Sequence, residues 1–533
     1  MSRPDLRNIT FGERLREVTM QYPEREALVC DALRWTYREL DETSDRMAAG
    51  LLAWGLRRGD VLGIWCESEP NTVLLLCAAL KLGVTAAMIN TSLVGEEVSD
   101  ILRRSDVRFL AIGEGYKDVR YAEVCASLPP LPGLERIFSI SRTPQPGLDG
   151  VDRLLADAAC VSGSDLREAM EAVQPTDPAT MLYTSGTTSR PKIVVDTQCS
   201  RINLAMQQAY DLRVTCEDRF CTAMPLFHCF CMSVNTLAAL TSGACLVLCP
   251  DRHTQTIIDV FSREKCTVFS CVPALFHAIV SRPNFDPAPL RSLRIGYIGG
   301  SLYPPALFRQ IEDRLGFTLM SSLGQTEAGA GVTTCQPDDP LDVRAETVGR
   351  FLAYVEGKTV DIQTGMPLGA GETGEICIRG YNVMQGYYHA PEDTAKAIDA
   401  EGFLHTGDMG YLDAQGNLHL TGRLKDLIIR GGENISPAEI EAAAGEDPRV
   451  HTCRAVGVPD DHYGEEVCLC VQLEAGASCT ADELRSRLAA VLAHYKVPKY
   501  VLFMEEFPRT NTGKIRTGEL VKQCCDILFS FVP

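Results

Sequence analysis

The chain reads as an α/β protein: a large N-terminal domain of parallel α/β sheets carrying a small β subdomain, then a smaller α+β C-terminal domain. Three observations predict this. First, residues 60–113 alternate strand-like and helix-period runs (VLGIWC, NTVLLLCAALKLG, TAAMIN, GEEVSDILRRSD, VRFLAI), and residues 244–323 repeat the alternation from ACLVLC to TLMSSLG. Such βαβα order implies parallel sheets with helices on their faces. Second, from residue 348 to about residue 420 the text shifts to short runs between glycine turns (EGKTV, GEICIRG, NLHLTG), the pattern of a small all-β unit. Third, an α+β pattern follows Arg423, with helix starts at Ser436-Pro437-Ala438-Glu439 and Thr480-Ala481-Asp482-Glu483. Both starts fit a capping box, and Pro437 occupies the first helical position. The boundary falls near Lys425, which gives domains 1–424 and 425–533.

Bulk properties narrow the function. At 533 residues, 45% hydrophobic and 23% charged, the chain exceeds one compact core. A formal charge of −19 argues against nucleic acid, so a bound nucleotide must be held by a local site. The opening MSRPDLRNITFGERLREV lacks an apolar signal core, and no membrane-spanning helix is expected. The most apolar stretch, residues 72–90, is broken by Lys81 and Gly83 and reads as a buried helix followed by a strand. The 22 scattered cysteines suit a reducing compartment, and a cytoplasmic location is expected. Cys229 with Cys231 and Cys468 with Cys470 lack second pairs at zinc spacing and are not read as metal sites. Cys524 and Cys525 open an apolar tail ending ILFSFVP, expected to dock on the body or on a partner.

Local chemistry concentrates in a few segments. LYTSGTTSRPK offers hydroxyls from Ser185, Thr187, Thr188 and Ser189, a permissive backbone at Gly186, and a point charge at Lys192. Its spacing does not match G-x-x-x-x-G-K-[ST], and a Ser/Thr/Gly-rich run taken alone is usually a plain turn. Glu327 follows Thr326 at the end of an apolar run, where one carboxylate suits a magnesium ion otherwise held by phosphate oxygens and water. Asp408, in HTGD, suits a ribose diol, and Arg423 offers donors nearby. Each residue also has an ordinary alternative as a turn, cap or solvated surface group.

The ordered set LYTSGTTSRPK, GQTEA, GEICIRG, GFLHTGD, TGRLKDLIIRGGENISPAEIE and PRTNTGKI resembles the adenylate-forming superfamily, and within it the AMP-forming acyl-CoA synthetases, from about residue 10 to residue 520. SGTTSRPK is also similar to text in carnitine and crotonobetaine CoA ligases. The resemblance implies an ATP-dependent ligase that converts a carboxylic acid to an acyl adenylate and then to an acyl-CoA, using Mg2+. Thr184, Ser185, Gly186, Thr187, Thr188, Ser189 and Lys192 would form the phosphate loop. Gly300 and Ser301, with Ser322, Leu323, Gly324 and Gln325, would flank the adenine. Thr326 would contact the α-phosphate, Glu327 the magnesium, and Asp408 and Arg423 the ribose. Lys514, in NTGKI, would bridge the carboxylate and α-phosphate, and His228, in MPLFHCF, would line the acyl pocket. Lys425 matches the hinge about which the C-terminal domain turns, removing Lys514 and bringing in Arg430, Gly431, Gly432, Glu433 and Asn434 for the pantetheine arm of coenzyme A.

Three positions depart from the family text. Ser189 stands where glycine is common, Ile193 follows the loop lysine where glycine is usual, and Leu323 replaces a tyrosine. Ile193 brings a stiff side chain to a normally permissive position, and Leu323 removes an aromatic face near the adenine. Two alternatives stay open: an adenylation enzyme that loads a carrier-protein phosphopantetheine, and a degenerate nucleotide-binding scaffold. The acidic surface disfavours an acidic carrier and favours free coenzyme A. Around His228, the residues Phe227, Cys229, Phe230, Cys231 and Met232 suit an aliphatic or compact acyl group. No feature fixes the oligomeric state.

Overall fold

The computed structural model of the chain describes residues 3–143, 145–184, 191–301, 303–430, 433–460, 462–509 and 515–529. Its first sheet has seven strands, in the order Gly386–Tyr387, Ile193–Thr197, Pro178–Tyr183, Thr85–Met88, Val61–Trp65, Val107–Ile112 and Arg136–Ser139. The strands from Pro178–Tyr183 onward run parallel, and Ile193–Thr197 folds back antiparallel on Pro178–Tyr183. The apolar run at residues 72–90 is the buried helix Pro70–Lys81 leading into the strand Thr85–Met88, as the sequence predicts. Lys81 is buried there because Asp41 and Asp45 each bring a carboxylate oxygen to 2.5 Å from its ammonium.

A nine-stranded sheet stands beside the first. From Glu26–Cys30 through Cys245–Leu248, Arg219–Thr222, Val268–Phe269, Ile295–Ile298 and Thr318–Leu323 its strands are parallel. Antiparallel additions close both edges. The predicted β unit is a four-stranded antiparallel sheet, in the order Val355–Val360, Gly374–Gly380, Leu404–Leu412, Leu418–Arg423.

The C-terminal lobe is α+β. Glu433–Ile435, Ile428–Arg430, Gly464–Leu473 and Val450–Asp460 lie side by side, and Tyr500–Phe503 pairs parallel with Gly464–Leu473. The helices Pro437–Gly445 and Ala481–Ala489 cover one face, through Ile440, Ala444, Leu484 and Leu488, and Thr517–Phe529 covers the other. That last helix docks on its own lobe through Leu520 and Cys524, while Ile527 and Phe529 at its end are exposed and residues 530–533 of the apolar tail lie outside the described residues. Thr480 forms the predicted capping box with Glu483. Ser436 does not: its hydroxyl donates to the Thr421 carbonyl instead, tying the lobe to the β unit, and Glu439 takes the Lys496 ammonium at 2.7 Å. All 22 cysteines are free thiols, and no helix among the described residues is long and apolar enough to cross a membrane.

Candidate active site

The phosphate-loop segment sits between two antiparallel strands. Thr184 and Lys192 close its neck: the Thr184 N–H donates to the Lys192 carbonyl at 3.0 Å, and the Lys192 N–H donates to Thr184 Oγ1 at 3.3 Å. Residues 185–190, and so Ser185, Gly186, Thr187, Thr188 and Ser189, lie outside the described residues, as do Gly431, Gly432 and Lys514. Ile193, expected to stiffen a permissive position, opens the strand Ile193–Thr197 opposite Tyr183 and is buried beside Met181 and Val195. A β-branched residue fits that extended backbone.

Two neighbouring parallel strands bring the predicted adenine flank together. Ile298 pairs with Ser321, so Gly300 and Ser301 emerge beside Ser322, Leu323, Gly324 and Gln325. Gly300 has φ +88°, and a Cβ on Gly324 would lie 2.4 Å from the Ala330 carbonyl oxygen, so both turns need glycine. Leu323, expected to flank the adenine, packs its side chain into a core cluster with Val194, Ala328 and Val332.

Past Gln325 the chain makes a short 3-10 turn, Thr326–Ala328, that carries Glu327. Tyr387, on the edge strand beside Ile193–Thr197, donates its hydroxyl to Glu327 Oε1 at 3.0 Å. The Lys192 ammonium lies 4.5 Å from the centre of the same ring and 3.8 Å from Asp393. Burial, and then the Glu327 charge, push the Tyr387 phenol above its ordinary range, so it keeps the proton it donates. Behind this row lies the ion pair Asp196–Arg201, in which Asp196 is 0% and Arg201 1% exposed. Arg201 also donates to Thr180 Oγ1 (3.0 Å), Ser233 Oγ (2.8 Å) and the Gly329 carbonyl (3.1 Å). Burial pushes the Asp196 carboxyl up to about 6, with Arg201 opposing and Glu327 adding to the shift.

Asp408 lies mid-strand, opposite Arg423, which donates to it at 2.8 Å. Burial raises its pKa despite the Arg423 charge. Lys425 is solvent-facing, yet partial burial of its ammonium and then the Arg423 charge lower its pKa. His228 immediately precedes the helical turn that begins at Cys229 and continues as the π-helical segment Cys231–Leu237; its ring lies 4.5 Å from that of Phe227. Thr326 Oγ1 donates weakly to Cys229 Sγ at 3.8 Å, which joins the His228 segment to the turn carrying Glu327. Direct contacts thus link the hairpin neck, the carboxylate turn and the apolar helix.

Sequence reasoning missed Tyr387, Asp393, Asp196, Arg201 and Ser233. A charged residue inside the run IVVDT was the available signal for Asp196. The donors fit a magnesium nucleotide: a single tyrosine-oriented carboxylate beside a lysine at a hydroxyl-rich loop matches an ion that takes few carboxylates and many phosphate oxygens.

The AMP-binding enzyme family matches residues 15–388, and the AMP-binding enzyme C-terminal domain matches residues 439–514. The chain belongs to the AMP-binding enzyme family. Among its relatives, the putative acyl-CoA synthetase YngI of Bacillus subtilis (strain 168) is 34% identical, covering 97% of both chains. The mitochondrial medium-chain acyl-CoA ligase ACSF2 of Rattus norvegicus is 33% identical over 97% of this chain and 88% of its own. ATP-bound MatB from Rhodopseudomonas palustris superposes with a TM-score of 0.86 at 26% identity, covering 98% of this chain and 100% of MatB. This AMP-binding enzyme is an acyl-CoA ligase: it joins a carboxylic acid to coenzyme A through an acyl adenylate, using ATP and Mg2+.

Proposed function

We propose that this ligase activates aliphatic acids of medium chain length, and that Thr184, Lys192, Glu327, Thr326, Asp408, Arg423, His228 and Lys514 carry the roles the family motifs imply. The observation that supports the residue assignment most is the row Lys192–Tyr387–Glu327, which joins the phosphate-loop neck to the metal carboxylate through one phenol. The soft, compact surroundings of His228 and the medium-chain relative support the acid class. The 22 free thiols support a cytoplasmic location.

The chemistry requires such a row. A carboxylate attacking the α-phosphate brings two anions together, so donors and cations must stand ready where charge develops. Lys192 and the hydroxyls of residues 184–189 hold the outer phosphates, and Thr326 holds the α-phosphate. Magnesium held by Glu327 would neutralise phosphate charge, as it does when bound to nucleotides generally. Tyr387 keeps Glu327 aimed, Asp408 receives the ribose hydroxyls, and Lys514 bridges the two reacting anions. We further propose that residues 425–533 turn about Lys425 after adenylation, so that Gly431, Gly432 and Glu433 line the approach of the coenzyme A thiol.

The test is a mass-spectrometric screen with ATP, Mg2+, coenzyme A and short, medium, long, aromatic and carnitine-like acids, run beside Lys514→Met. Medium-chain acyl-CoA with equal AMP is expected, and Lys514→Met should slow adenylation by at least about 10² fold. Product from another acid class would overturn the chain-length reading, and unchanged pyrophosphate release by Lys514→Met would remove that lysine from the chemistry.

A further inference from the structure

The two cysteines that lacked partners in the sequence acquire one in the fold. Cys468 and Cys470 are two apart on the central strand Gly464–Leu473, so both side chains point to the face covered by the helix Thr517–Phe529. That helix lowers Cys524 onto them. Cys470 Sγ and Cys524 Sγ are 3.2 Å apart, and the three sulfur atoms all lie within 4.8 Å of one another. All three residues are 0% exposed, enclosed by Val456, Val458, Phe507 and Leu520.

We propose that Cys468, Cys470 and Cys524 form a buried trithiol site that takes a trivalent thiophile of the arsenite class as a three-coordinate adduct. Charge decides between soft ions. The walls are apolar, and an uncompensated charge in such a place is costly. Divalent zinc on three thiolates leaves a net negative charge and lacks the fourth ligand of a closed structural site. A trivalent centre on three thiolates is neutral. The exchange As(OH)3 + 3 RSH → As(SR)3 + 3 H2O breaks three As–O and three S–H bonds, forms three As–S and three O–H bonds, and leaves arsenic and sulfur at their oxidation states. A pyramidal centre also draws its sulfurs closer together than a tetrahedral one, in keeping with the 3.2 Å separation. Entry needs the helix Thr517–Phe529 to lift, by the local opening that folded proteins undergo.

The experiment uses the full, reduced chain with inorganic arsenite. One tightly bound arsenic per chain is expected, with three fewer titratable thiols and three sulfur neighbours by X-ray absorption. In the unsubstituted protein, alkylation should be blocked at Cys468, Cys470 and Cys524. Cys524→Ala should weaken binding by at least about 10² fold, the gain that linked ligands hold over separate ones. Cys221→Ala, in the buried Cys221–Cys249 thiol pair (Sγ···Sγ 3.4 Å), should leave it unchanged. Protection confined to other cysteines, two sulfur neighbours instead of three, or displacement by equimolar Zn2+ would each overturn the assignment.

Discussion

In the proposed assignment, Tyr387 holds the nucleotide end of the site in register. Its ring supports the Lys192 ammonium, and its hydroxyl fixes one oxygen of Glu327. Tyr387→Phe keeps the ring and removes the donor. A hydrogen bond to a charged group contributes about 1.5–3 kcal/mol, so kcat/KM for the magnesium nucleotide should fall about ten- to a hundredfold. The magnesium requirement should move to higher concentration, while consumption of preformed acyl adenylate stays unchanged. An unshifted magnesium titration would show that Glu327 needs no phenol to orient it. At this scale the sequence was partly legible. Glu327, Asp408 and Lys192 announce themselves inside motifs, whereas Tyr387 lies 60 residues from Glu327 and meets it only because an edge strand adds to the hairpin. Leu323 and Ile193 depart from the family text, and a departure carries no direction: that both side chains turn into the core appears only in the fold.

The helix Gln198–Asp211 follows directly on the strand Ile193–Thr197, and Arg201 near its start binds elements far apart in sequence. It ties the hairpin (Asp196, Thr180), the π-helical segment (Ser233) and the turn beyond Glu327 (Gly329) into one unit. Arg201→Met would leave Asp196 buried without its cation and should cost about 3–5 kcal/mol of stability. Replacing both partners, Asp196→Leu with Arg201→Leu, should cost much less, because Ser233 still donates to the Gly329 carbonyl at 2.7 Å. The pair also sets a pH signature. Unfolded, Asp196 releases its proton near 3.8; folded, burial lets it hold the proton to about 6. Between those values the folded state binds the extra proton, so stability falls as pH rises, by roughly 3 kcal/mol, and is flat above. Denaturant midpoints from pH 4 to 7 should show this fall in the parent and not in the double variant; parallel curves would mean that Asp196 is ionised throughout. Element identity was readable from periodicity, but this ion pair was not, since burial of two charges appears only once strand and helix pack.

At the scale of the molecule, the C-terminal lobe and the β unit share a seam at Ser436. Ser436 Oγ reaches the Thr421 carbonyl, and Lys425 stands between Arg423, which is paired to Asp408, and Asp426. The alternation of strand and helix and the glycine-rich β text made both lobes legible. The seam was not, because a serine that reads as a helix cap serves as the tie. Lys425 lies in the short 3-10 turn Leu424–Asp426, the last element before the C-terminal sheet begins. Proline there fixes φ near −65° and confines Leu424 to extended conformations, so a turn that must change its dihedrals to swing the lobe would lose that freedom. On the proposed rotation about Lys425, adenylation uses one arrangement of the lobes and thioester formation a second. Lys425→Pro should therefore leave single-turnover formation of acyl adenylate within about twofold of the parent while slowing its consumption by coenzyme A by at least about tenfold, the usual pattern when a hinge, not a reacting group, is changed. Equal loss of the two half-reactions would place the turning point elsewhere in the chain.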